Sequence, residues 1–155
     1  MAELVPGAEA PDFTLPRDGG GTISLSQFRG RPVVLFFYPK DDTEGCTMEA
    51  KDFTAARPDF DAAGVALIGL SPDPVKKHDK FVQKHDLAVP LASDEALTTL
   101  EAYGVWKEKS MYGRTYMGVE RTTVLVDAAG RIAESWPKVK VKGHVEAVLE
   151  AAKKL

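Results

Sequence analysis

Between Arg31-Pro32 and Pro39 the chain reads Val33-Val34-Leu35-Phe36-Phe37-Tyr38, six apolar β-formers without a polar break. A strand with one wet face alternates in polarity. An unbroken run instead predicts a strand covered on both faces, as at the centre of a parallel sheet. Pro39 ends it. Downstream, the polar loop Lys40-Asp41-Asp42-Thr43 leads into helical spacing, with Cys46, Ala50 and Phe53 at i, i+4 and i+7. Gly64 closes that region, and Pro58 predicts a break or kink inside it. Val65-Ala66-Leu67-Ile68-Gly69-Leu70 reads as a second buried strand. Ser71-Pro72-Asp73-Pro74 opens a helix with Val75, Phe81 and Val82 as its inner face. Val89-Pro90-Leu91 is a short strand, and Ser93 is the expected N-cap of a helix from Asp94 to Tyr103 that Gly104 ends. Residues 105–119 read as loop. Thr122–Val126 is the third long strand, and Arg131–Trp136 its antiparallel partner across Asp127-Ala128-Ala129-Gly130. Val145, Val148, Leu149 and Ala152 stripe a last helix. Upstream, Phe13/Leu15 and Ile23/Leu25 alternate on either side of Gly19-Gly20-Gly21, the pattern of a hairpin over residues 12–28.

From residue 32 the order is strand, helix, strand, helix, short strand, helix, strand, strand, helix. Right-handed crossovers make the first two long strands parallel. The expectation is an α/β fold with a mixed central sheet, helices on both faces and an N-terminal β-hairpin. That is the element order of a thioredoxin-like domain, and at 155 residues it is a single domain over 1–155. Apolar residues at 44% suffice for one core. With 20 Lys and Arg against 23 Asp and Glu, the net charge is −3, which argues against a nucleic-acid partner. No apolar run reaches the ~18 residues of a membrane span, and Met-Ala-Glu-Leu-Val-Pro-Gly is unlike a secretory signal, so no membrane is expected. The single cysteine rules out an intramolecular disulfide and a multi-cysteine zinc site and suggests a reducing, cytoplasmic setting.

That cysteine lies in Pro39-Lys40-Asp41-Asp42-Thr43-Glu44-Gly45-Cys46-Thr47-Met48-Glu49. With Thr43 as N-cap, Cys46 occupies the third helical position. Free N–H groups and the positive end of the helix dipole there favour thiolate over thiol. Gly45 lets another atom approach the backbone closely. Asp41, Asp42, Glu44 and Glu49 act the other way, since negative charge disfavours a thiolate. A cation is therefore required. Lys40 is near in sequence, but Arg121 is the better candidate, because it precedes the third strand, which lies beside the first in this topology. The residues alone leave two readings open: an inert small hydrophobe, or a nucleophile at the carboxyl end of a central strand, where α/β folds place their ligands.

Pro39-x-x-x-Thr43-x-x-Cys46 resembles the active-site signature of peroxiredoxins. Phe37-Tyr38-Pro39, Gly45-Cys46-Thr47-x-Glu49-Ala50, Tyr103-Gly104-Val105-Trp106, Lys109-x-Met111-Tyr112-Gly113, Met117-Gly118 and Arg121-Thr122-Thr123 resemble the bacterioferritin-comigratory, or peroxiredoxin Q, subgroup. The likeness runs from about Pro11 to the C-terminus. It implies that Cys46 attacks a peroxide oxygen, that Thr43 orients the peroxide, and that Arg121 stabilises the thiolate and the leaving oxygen. It implies further that Pro39 shields the sulfur, that the Gly45 and Cys46 amides complete the peroxide site, and that Glu49 aligns Arg121. No metal or organic cofactor is implied. Many members of the subgroup carry a resolving cysteine five residues after the first. Here that position is Lys51, and Glu44 stands where a proline is usual. The expected cycle therefore uses one cysteine, resolved by glutathione, glutaredoxin, thioredoxin or a second subunit's Cys46, in a monomer or weak homodimer. A non-enzymatic peroxide sensor is the alternative function.

Other candidates read more plainly. His78 and His85, seven apart on one helix, are about 10 Å apart along the axis, too far for one metal, and are expected to be solvated surface residues. His144 begins the last helix. Gly19-Gly20-Gly21 lacks the Lys-Ser/Thr ending of a phosphate loop and is a turn. Trp106, Tyr112, Tyr116 and Met117 are expected to cluster on the 105–119 loop, lining a substrate pocket or covering the sheet.

Overall fold

The computed structural model describes residues 4–155. Its elements are β1 (Thr14–Pro16), β2 (Thr22–Ser24), β3 (Val33–Phe37), α1 (Glu44–Ala62), β4 (Ala66–Ser71), α2 (Val75–His85), β5 (Leu91–Ser93) and α3 (Thr98–Ala102). They continue with β6 (Trp106–Met111), β7 (Arg114–Val119), β8 (Thr122–Val126), β9 (Ile132–Trp136) and α4 (His144–Lys153). The central sheet runs β5-β4-β3-β8-β9. The strands β3, β4 and β5 are parallel, while β8 and β9 are antiparallel additions. All five residues of β3 are buried, as their unbroken apolar run requires. Alternate side chains serve two cores: Val34, Phe36 and Tyr38 pack with α1, α2 and α4, while Val33, Leu35 and Phe37 pack with β1–β2 and the α3 region. The thioredoxin-like architecture with helices on both faces and an N-terminal strand pair is therefore present. No helix among the described residues is long and apolar enough to cross a membrane.

Several local readings are corrected. The helix α1 runs through Pro58 as one 19-residue segment. Proline removes a single ladder bond there, and the fully buried Phe53 and Phe60 on either side anchor both halves. The helix at 94–103 shrinks to α3, five residues long. Leu97 takes a left-handed conformation before it, and the Asp94 carboxylate, not Ser93, accepts from a helical amide, that of Leu100, at 2.8 Å. Ser93 instead ends β5, and its hydroxyl donates to Asp73 O at 2.6 Å.

Residues 105–119 form not a loop but the hairpin β6–β7, in register from Trp106↔Val119 to Met111↔Arg114. Tyr112 and Gly113 both have positive φ, 52° and 78°, the geometry of a two-residue hairpin turn. The aromatic cluster expected there dissolves: Trp106 packs at the base, Tyr112 stands 98% exposed at the tip, and Tyr116 and Met117 are exposed. Finally, His78 is no surface residue. It is fully buried, with Nδ1 2.6 Å from Asp41 Oδ2 and Nε2 3.1 Å from Ala92 O. His78 lies three residues before Phe81, on the inner stripe of α2.

Candidate active site

The pairing of β3 with β8 builds the site. Phe37, the last residue of β3, is opposite Thr122, the first of β8. Arg121, one residue earlier, is thereby delivered to the carboxyl end of β3, where the chain turns into α1. Thr43 is the N-cap of α1, so Cys46 is its third residue. The first helical donor is Thr47, whose N–H reaches Thr43 O at 2.8 Å; the amides of Gly45 and Cys46 lie ahead of the ladder. Their partial positive charge and the helix dipole converge on Cys46, which is only 2% exposed.

Arg121 closes the other side. Its Nη2 donates to Cys46 Sγ at 3.2 Å, and its Nη1 donates to Glu49 Oε1 at 2.8 Å. Burial disfavours the charged guanidinium, but Glu49 and Cys46 outweigh that cost and push it net upward. Glu49 lies one turn after Cys46 and is wholly buried. Burial raises its carboxyl to about 7, against the pull of Arg121. Desolvation wins because the guanidinium reaches only Oε1, while Oε2 has no partner among the described residues. Gly45 makes the arrangement possible: a Cβ there would be 3.2 Å from Arg121 Nη2. Gly45→Ala is therefore expected to displace the guanidinium by a few tenths of an ångström and to lower kcat/KM for peroxide about tenfold, because aim rather than folding is lost. Thermal unfolding alongside peroxide kinetics checks this; a Tm close to that of the parent is expected.

Thr43 is exposed, and its hydroxyl donates to Lys40 O at 2.9 Å, fixing the turn that starts α1. Pro39, half-buried, follows β3 by two residues. Two of the four acidic residues that weighed against a thiolate, Asp41 and Asp42, are engaged by other partners. Asp41 accepts from Tyr38 at 2.6 Å and faces His78, and Asp42 pairs with Lys84 at 2.7 Å and His85 at 2.8 Å. The loop before Cys46 is thus tied to α2 by its own carboxylates. Lys40, the nearer cation in sequence, is exposed.

Two groups escaped the sequence reading. Half-buried Lys109 of β6 lies near Arg121 and Cys46; burial and then Arg121 lower its value. Its place depends on the hairpin, so a loop reading of 105–119 hid it. The other is His144. Burial and then Arg121 lower it to about 4, so it is neutral at pH 7, 2.7 Å from Thr123 Oγ1.

A thioredoxin-type sheet that sets one cysteine at a helix N-terminus against a half-buried guanidinium defines a thiol-based redox protein. The chain belongs to the AhpC/TSA family, which it matches over residues 6–135, and is a peroxiredoxin, a thiol-dependent peroxidase. It is 46% identical to the peroxiredoxin Bcp of Bacillus subtilis, over 95% of this chain and 94% of that one. Its fold matches PrxQ of Xylella fastidiosa with a TM-score of 0.93 at 35% identity, covering 99% of this chain and 98% of that one. It also matches the Xanthomonas campestris bacterioferritin comigratory protein, a structure concerned with alkyl peroxide reduction activity, with a TM-score of 0.90 at 43% identity over 97% and 98%. The peroxiredoxin Q likeness of the sequence motifs is thereby borne out, and the family supplies a peroxide substrate and a thiol reductant.

Proposed function

We propose that this single-domain chain reduces hydrogen peroxide and alkyl hydroperoxides through a one-cysteine cycle. The observation that carries the reading is the 3.2 Å contact between Arg121 Nη2 and Cys46 Sγ at the start of α1. The Cys46 thiolate attacks one peroxide oxygen, the O–O bond breaks, and the leaving oxygen takes up a proton as water or alcohol. The sulfur is left as sulfenic acid. Arg121 stabilises both the thiolate and the charge that develops on the leaving oxygen. The Thr43 hydroxyl and the Gly45 and Cys46 amides orient the peroxide, Pro39 limits water at the sulfur, and Glu49 aligns Arg121. Alkyl hydroperoxides are included because the X. campestris relative is described by that activity.

Cys46 is the sole cysteine, and Lys51 occupies the position of a resolving one. An external thiol therefore condenses with the sulfenic acid, releasing water, and a second thiol frees Cys46. Glutathione, glutaredoxin and thioredoxin are the reductants of suitable chemistry, in a cytoplasmic monomer or weak homodimer. Intact mass after one equivalent of peroxide tests the cycle. One added oxygen, replaced by a glutathione adduct when glutathione is present, is the expected result. An unmodified protein, or a covalent dimer through Cys46 with glutathione present, overturns it.

A further inference from the structure

Glu49 presents a balance that alignment of Arg121 alone does not explain. Its side chain is completely buried, Oε1 accepts from Arg121 Nη1 at 2.8 Å, and Oε2 has no partner among the described residues. The same guanidinium donates its other arm to Cys46 Sγ. Two acids, both buried, thus share one half-buried cation, and a buried carboxylate oxygen without a partner is costly unless it carries a proton. We infer that Glu49 stores a proton in the reduced protein and gives it up when the sulfur is oxidised, supplying the proton that the departing peroxide oxygen needs.

The groups around it agree. Burial holds the Glu49 carboxyl at about 7, and Asp52, one turn on along α1, pushes it the same way. Arg121 faces it from the start of β8. Around that guanidinium, His144 of α4 is neutral at pH 7, and Lys109 of β6 lies near both Arg121 and Cys46. While Cys46 is an anion, it claims Arg121, and Glu49 is held as the acid. Attack then forms the S–O bond and breaks the O–O bond, whose electron pair leaves as alkoxide or hydroxide. The sulfur, oxidised by two electrons, becomes a neutral sulfenic acid. Arg121 now has a single anionic claimant, so Glu49 ionises, and its proton neutralises the leaving oxygen. Reduction of the sulfenic acid by two external thiols restores the thiolate and returns the proton to Glu49.

The inference rests on the peroxidase reading above, and its test separates the two. Reduced protein and Glu49→Gln, which keeps an oxygen for Arg121, each receive one equivalent of hydrogen peroxide in weakly buffered indicator dye, with sulfenic acid measured in parallel. At pH 7 the parent is expected to take up about half a proton fewer from bulk than Glu49→Gln, and at pH 8.5 the two are expected to agree within about a tenth. Infrared difference spectra of the parent should lose a protonated-carboxyl band on oxidation. This measurement needs no variant and stands even where Glu49→Gln folds poorly. Equal uptake at pH 7, or no loss of that band, with sulfenic acid formed, overturns the role of Glu49 and leaves the peroxidase reading intact. Absence of sulfenic acid in the parent overturns both.

Discussion

Cys46→Ser is expected to lower kcat/KM for hydrogen peroxide by at least about 10⁴-fold while leaving the fold in place. The size follows from the chemistry of the atom. A serine hydroxyl is not ionised near neutrality, and Arg121 with a helix terminus cannot bridge so large a gap. Oxygen also cannot be raised to a sulfenic acid, so even a slow attack would not complete a cycle. Stability should change little. The two side chains are similar in size, and a serine hydroxyl can accept from Arg121 Nη2, now 3.2 Å from the sulfur. Stopped-flow peroxide decay together with thermal unfolding measures both halves. Turnover within tenfold of the parent would falsify Cys46 as the nucleophile; lost turnover with a collapsed Tm would mean that the sulfur was needed for packing.

What could be read from residues alone follows the physics of burial. Val33–Tyr38 declared itself because a strand between two packed layers has no polar positions to confuse the pattern. The place of Arg121 followed from the topology: once the third strand was set beside the first, the residue before it had to fall at the end of β3. Hairpin β6–β7 gave no such signal. Most of its residues are exposed on both faces, so no apolar alternation marks it. Its Tyr112-Gly113 turn uses a tyrosine at positive φ, where Asn or Asp is the familiar cue.

His78 escaped for a different reason. A polar side chain on an inner helical stripe looks like a surface residue until its partners are known. Those partners, Asp41 and Ala92, are 37 and 14 residues away in the chain. The same holds for Asp41 and Asp42. Counted by proximity, they oppose a thiolate; placed in space, both are engaged by α2. Local sequence therefore misjudges the electrostatics of the loop, while the fold corrects it by pairing each carboxylate with a partner that only the β4–α2 crossover brings near.

Arg121→Gln is expected to cost about 10²–10³-fold in kcat/KM, the scale of losing one aimed donor at a developing oxyanion. Arg121→Lys should lose nearly as much, because one ammonium cannot span both Cys46 Sγ and Glu49 Oε1 as the two guanidinium arms do. The discriminating signature lies in stability against pH. The Glu49 carboxyl is raised from an ordinary 4.5 to about 7, so the native state holds this proton more tightly than the unfolded chain. That contribution is complete below pH about 4.5, is lost as pH climbs towards about 7, and is flat above, a change on the order of 3 kcal/mol. Removing the guanidinium takes away the one interaction that pulls Glu49 down. In Arg121→Gln the decline in Tm should therefore continue past neutrality, into a range where the parent is level. In Arg121→Lys, with a cation retained, it should level off between the two. Parallel Tm–pH curves for parent and Arg121→Gln would mean that the buried carboxyl draws nothing from Arg121, and the shared guanidinium would lose its place at the centre of the site.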